Sequence, residues 1–181
     1  MKRASPKSAR QLLHESSGAE IAEAAAVLPL MFMVLLGIFW FGQAFSLYGA
    51  ITRAAQEGAR AGSAPGCTTC GGAATNTTYA ATASAAVNQS LVASKLDPTL
   101  AQSSTYPAYT SCAGSVMLNC GNTGAACIQL PVQLLTNTQG GGDCGVAVYF
   151  QYPFKFWLPF TSINNQRIML TASATARMET N

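Results

Sequence analysis

Charge is what this sequence has least of. Acidic and basic residues together make up 9% of its 181 residues, against about 25% in typical soluble domains. Apolar residues make up 49%, so the shortage does not signal disorder, which needs few hydrophobes and much charge. It signals a chain that spends part of its length outside water. Histidine is almost missing too: the single one, His14, lies near the start. That excludes Ser-His-Asp and Cys-His arrangements from everything downstream. The later carboxylates Glu57, Asp97, Asp143 and Glu179 are scattered, without spacing that favours a paired acid and base. Lys95 or a cysteine thiolate remains as a conceivable nucleophile. The expectation is a protein that is not an enzyme and uses no cofactor or metal.

The charges present are unevenly placed. Lys2, Arg3, Lys7 and Arg10 stand against Glu15 alone in residues 1–18, which therefore hold the whole net charge of +3. Beyond Gly18, Arg53, Arg60, Lys95, Lys155, Arg167 and Arg177 balance six acidic residues. A nucleic-acid surface needs Lys and Arg gathered on a folded face, so nucleic acid is not expected as a partner.

Between Glu23 and Arg53 there is no charge at all. A helix crosses about 30 Å of hydrocarbon with about 20 apolar residues, and this run exceeds that. A cleaved secretory signal is the competing reading, but its apolar core runs about 7–15 residues before an A-x-A-like site. The lipid bilayer is thus a partner, with a span over about residues 24–48. Pro29 removes one backbone hydrogen bond and predicts a mild kink, while Trp40 and Tyr48 suit the far interface. The basic leader keeps the N-terminus cytoplasmic by the positive-inside rule and puts the rest of the chain on the other side. Tyr48, Ile51, Ala55 and Ala59 continue the helical spacing, so the helix is predicted over residues 19–60, roughly 60 Å long. Its emergent half, rich in Ala and Gly, can approach other backbones closely.

At the leader boundary, SSGAEIAEAAAVLP places Gly18 five residues before Glu23 and an uncharged helix directly after. This resembles the processing site of type IV pilin-like proteins. The stretch from Gly18 through the EGAR segment that ends at Arg60, with Pro29, the Gly37/Gly42 spacing, Phe41 and Phe45, resembles the N-terminal module of TadE-like proteins. These are minor pseudopilins of tight-adherence (Flp-type) pili. Ala24 stands where an aromatic commonly follows the glutamate, and Trp40 where an acidic residue often precedes the second glycine, so the span holds no carboxylate. The resemblance implies cleavage after Gly18 by a prepilin peptidase, with Ala19 as the new N-terminus, and residence in a bacterial inner membrane among other pilin or pseudopilin subunits. From the residues alone, Glu23 has two readings. A carboxylate at the edge of an apolar span calls for a cationic partner, which the α-amine of a neighbouring subunit would supply. Alternatively Ser17 and Glu20 form a capping box, and Glu20 and Glu23 sit in a first turn where the helix dipole favours them.

Residues 61–181 form the domain outside the membrane. A turn-rich SAPGCTTCGG is followed by a helix predicted over 75–96 on the Tyr79, Ala83, Ala86/Val87 and Leu91 face, ending at Asp97-Pro98. SVML, CIQLPVQLL, VAVYFQYPFKFWL and RIMLTASATARM read as strands, with Pro153 marking an edge or a strand end. The fold class is α+β, a long helix and a short helix with a small antiparallel sheet, pilin-like in outline. Cys67, Cys70, Cys112, Cys120, Cys127 and Cys144 all lie beyond the span. An even count on an oxidising side predicts three structural disulfides among 15 possible pairings. Zinc or redox chemistry at Cys67-x-x-Cys70 is the rival, but no second close pair and no thioredoxin-type βαβ pattern accompanies it. The function expected is structural, a pseudopilin assembling through its helix. The alternatives are a bitopic membrane protein with a non-polymerising binding domain, and a membrane-tethered thiol oxidoreductase.

Overall fold

A computed structural model describes residues 16–64, 75–103, 109–121, 125–134, 143–155 and 167–178. Helix α1 spans Ser16–Ser63 and α2 spans Asn76–Ala93, followed by a 3-10 turn at Pro98–Leu100. Strands β1 (Ser111–Leu118), β2 (Cys127–Gln133), β3 (Cys144–Lys155) and β4 (Arg167–Arg177) come next. The architecture is α+β, as the sequence predicts, with α1 overrunning its expected bounds at both ends. The chain divides into two compact units, Met1–Gln43 and Ala44–Asn181, and α1 contributes to both.

In the first unit the described part is apolar helix without a protein environment. Leu30 is 66% exposed and Met33 76% exposed, values that a water-soluble helix of this composition would not leave uncovered.

In the second unit the last turns of α1 are core. Ile51, Ala54, Ala55 and Ala59 are buried, recurring at the three- and four-residue steps that make one helical face. Leu47 packs against them from the turn below, whereas Tyr48 turns outward. Alternation of small residues makes close packing possible. A Cβ on Gly58 would run into Val87 and lie 3.2 Å from the carbonyl oxygen of Ala83. One on Gly62 would lie 3.0 Å from Ala83 Cβ and 3.1 Å from Val146. Residues rising along α1 thus meet residues falling along both α2 and β3. The closeness foreseen for this half of the helix is spent inside its own domain. α2 answers with Ala80, Ala83, Val87 and Leu91, all buried.

The sheet is an antiparallel meander in the order β1-β2-β3-β4. Ile128, Leu130, Val146, Val148, Phe150, Tyr152 and Ala172 join the helices in one apolar cluster. β4 shows the period of two: Ala172 is buried, Leu170, Ala174 and Ala176 half-buried, while Thr171, Ser173 and Thr175 are exposed. β3 is buried along nearly its whole length, on both faces. Pro153 lies within β3, opposite Met169, so of the edge or strand end expected for it the strand end is corrected and the edge position stands. β2 pairs with β3 only as far as Tyr149, and Gln151 directs its N–H to the carbonyl of Gln102 at 2.7 Å. Pro153, two residues on, has the same orientation, so its missing donor falls on the side that no strand occupies. In β1 the register shifts between Ser111 and Val116. Gly114 takes φ +74° there, a backbone state costly for any residue with a Cβ, and its carbonyl accepts from Asn76 Nδ2 at 2.9 Å.

Two disulfides hold this sheet: Cys112–Cys144, linking β1 to β3, and Cys120–Cys127, closing the turn between β1 and β2. Cys67 and Cys70 lie outside the described residues.

Two outcomes test this packing. Gly58→Leu should destabilise the domain by about 2 kcal/mol or more through overpacking, while Gly49→Ala, where a Cβ meets nothing within 4 Å, should leave thermal unfolding unchanged or raise its midpoint. Replacing Cys112 and Cys144 together by alanine should cost about 3.5 kcal/mol, from the loop that the bridge closes in the unfolded chain. Denaturant titration of the detergent-solubilised protein reads it, and a loss below about 1 kcal/mol would show that the bridge constrains nothing.

Candidate functional site

The residues named for processing and assembly lie on the first turns of α1. Gly18 and Glu23 are exposed, and Ala19 lies four residues before Glu23 within α1. α1 spans Ser16–Ser63 and no acidic residue falls in its first turn; the Ser17 side chain of the capping-box reading lies outside the described residues. Among the described residues neither Glu20 nor Glu23 has an ion-pair partner; the ion pair recorded is Arg177–Asp143, at 2.9 Å.

Beyond Glu23 the helix continues through Pro29 without a break. Its mean hydropathy reaches 2.4, and by length and composition it is the one described helix able to cross a membrane. Gly37 and Gly42 leave open space where a Cβ would be. Phe41 and Phe45 are exposed, and the rings of Phe39 and Trp40 meet edge to face with centroids 5.8 Å apart.

A second site was not legible in the sequence. Where α1 enters the domain, Ser46, Gly49, Ala50 and Arg53 line up at helical spacing, and with Phe45 and Ser94 they enclose a cleft of about 470 Å³. Ser94 is the C-cap of α2. The chain then turns through Lys95, at φ 59°, to Asp97, whose carboxylate caps the 3-10 turn. It accepts from Thr99 N–H at 2.9 Å and from the Thr99 hydroxyl at 2.7 Å, and these bonds hold its pKa below the usual carboxylate value. The Asp97 N–H donates to Tyr152 Oη at 3.1 Å, which fixes the loop onto β3. Burial raises the Tyr152 pKa above its ordinary value. Only folding unites these residues, because α1, the turn after α2 and β3 are far apart in sequence.

Among the described residues no three His, Cys, Asp or Glu side chains gather as metal ligands. Four cysteines are consumed in disulfides, and the Cys67-x-x-Cys70 pair is not among the residues described.

No curated protein matches the chain, and neither does any solved structure. A family model does: residues 18–60 match the one described as TadE-like protein. The match starts at the glycine of the leader boundary and ends at the arginine of the EGAR segment, taking in the whole uncharged run. From Gly18 to Arg60, then, the chain is similar to TadE-like proteins, over about a quarter of its length.

Proposed function

We propose that the chain is a pseudopilin, a structural subunit of a pilus or related secretion apparatus. It is held in the inner membrane by the apolar part of α1, and a prepilin peptidase frees Ala19. The domain stands outside the cytoplasm, and no catalysis is required of it. The observation that carries this reading is the contrast within α1. Its last turns are fully used by the domain core, while the preceding TadE-like run is exposed at nearly every large hydrophobe. Lipid covers such a surface in the membrane, and like helices cover it in an assembly. Open space at Gly37 and Gly42 admits a neighbouring backbone.

Glu23 supplies direction. After cleavage at Gly18 the helix would start at Ala19, bringing a free α-amine to the end of the apolar run. Within one subunit Glu23 has no cationic partner among the described residues. In apolar surroundings a lone carboxylate is costly, and the amine of an adjacent subunit removes that cost. This favours staggered addition of subunits, each glutamate meeting the next amine.

Two experiments test the reading. In a host with a matching prepilin peptidase, N-terminal sequencing of the membrane form should begin at Ala19, and Gly18→Leu should leave the full-length chain. A start near Ala61 would instead mean that the whole helix is removed. Glu23→Ala should leave insertion, cleavage and disulfides intact while abolishing crosslinking to other pilus subunits. Removing one partner of a desolvated pair costs about 3–5 kcal/mol, against about 0.3–1 kcal/mol for a dipole contact. Glu20→Ala should be far milder. Wild-type crosslinking by the Glu23 variant would sink the pairing and favour a plain bitopic anchor.

A further inference from the structure

The domain has two ends of different electrical character. Glycine contacts set the directions: Gly62 meets Ala83 and Val146, and Gly58 meets Val87 and Val148. Going down α1 from Gly62 therefore means going up α2 and up β3. At the top, Asp143 and Arg177 neutralise each other beside the Cys112–Cys144 bridge. At the bottom lie Phe45 to Arg53 of α1, the Ser94–Asp97 turn after α2, and the far ends of β3 and β4. The hydrogen bond from Asp97 to Tyr152 ties the turn to β3 there.

Four exposed cations gather at that lower end: Arg53, Lys95, Lys155 and Arg167. None is in an ion pair among the described residues. Asp97, the carboxylate nearest them in the chain, already accepts two bonds from Thr99. Lys155 and Arg167 are direct cross-strand partners, so two like charges face each other on adjacent strands, an arrangement that destabilises a sheet unless an anion intervenes. Arg53 lines the cleft together with the hydroxyl-bearing Ser46 and Ser94, groups that suit a phosphate. Interspersed with the cations are exposed apolar side chains, Val92, Leu100 and Ile168. The sequence balances its charges after Gly18, and the fold separates them.

We infer that this end of the domain is a seat for anionic phospholipid headgroups, the cleft at Arg53 taking one phosphate and Lys95, Lys155 and Arg167 contacting others around it. The occupant follows from position. Residues 44–52, the last of the uncharged run, belong to the domain's own unit and enter it at this end, so a bilayer that ends with the run would present its phosphates beside these cations. Val92, Leu100 and Ile168 would then enter the apolar side of the interface while the long Lys and Arg side chains keep their charged heads at the phosphates. The inference rests on the reading of α1 as a membrane span, and it adds that the domain reads the charge of the lipid as well as being tethered to it. Each cation near an anionic surface contributes about a fivefold preference, weakened by salt.

The test uses the full-length chain reconstituted in nanodiscs of phosphatidylcholine, with or without phosphatidylglycerol. An amine-reactive reagent is applied, and acylation of Lys95 and Lys155 is followed by peptide mass relative to a free lysine peptide in the same sample. Both lysines should react about fivefold more slowly in the phosphatidylglycerol discs, and the difference should vanish in high salt. The double variant Arg53→Gln/Arg167→Gln should lose much of that protection with its disulfides and thermal unfolding unchanged. Resistance to alkaline extraction, measured on the same discs, reports the membrane span separately. Embedded protein with equal labelling in both lipids overturns the inference while leaving the anchor standing. So does protection that appears only when another pilus subunit is added, which would make the seat a protein interface.

Discussion

On the proposed reading, α1 must satisfy hydrocarbon along one part of its length and a protein core along the next, and these are incompatible demands on its side chains. Lipid would accept any large apolar residue on any face, and the turns of α1 before the domain carry Leu, Met, Phe and Ile all round. A core beside a second helix and a sheet accepts large residues nowhere on the inner face, because backbones must come within reach of one another. α1 resolves this by changing residue size instead of polarity. Past Ile51 the inward positions are Ala54, Ala55, Gly58, Ala59 and Gly62. Each side chain then buries little area, and the cohesion comes from what the smallness admits: Val87 and Val146 drawn against the helix backbone, where many atom pairs sit at favourable separation.

The rest of the domain follows from that approach. α2 can lie along α1 because its own inner face is Ala80, Ala83, Val87 and Leu91. β3 lies inside the sheet between β2 and β4, with Val146 and Val148 against Gly62 and Gly58 of α1, and it is buried beyond what alternation would give. β2 and β4 flank it, and the bridges to Cys144 and Cys127 secure the side away from β4.

Much of this was legible from order and spacing alone. The uncharged run, the leader boundary and the TadE-like character depend on contiguous residues, and α2's face was set by Ala83, Val87 and Leu91 at helical intervals. Pattern failed where a residue's role depends on something far away. Pro153 reads as an edge or a strand end, and the choice between them depends on where β2 stops: among the described residues β2 pairs with β3 only as far as Tyr149. Tyr48 has the spacing of the core face but stands below the end of the domain, and Leu47 takes that place. Gly58 reads as a surface for other subunits until Val87 is found against it. The cationic end was hidden because Arg53, Lys95, Lys155 and Arg167 belong to four different elements, and a balanced total charge concealed their grouping.

The ladder between β3 and β4 joins eleven residue pairs in unbroken register, and no disulfide of the described residues reaches β4. Under mechanical tension these strands are therefore unequal. A pull transmitted through α1 loads β3, whose first residue is covalently stapled to β1, so the stapled strands share the force. β4 shares none of it through a disulfide of the described residues. Drawn from one end, it peels away a pair at a time instead of shearing all eleven together, which makes it the part of the domain that yields first.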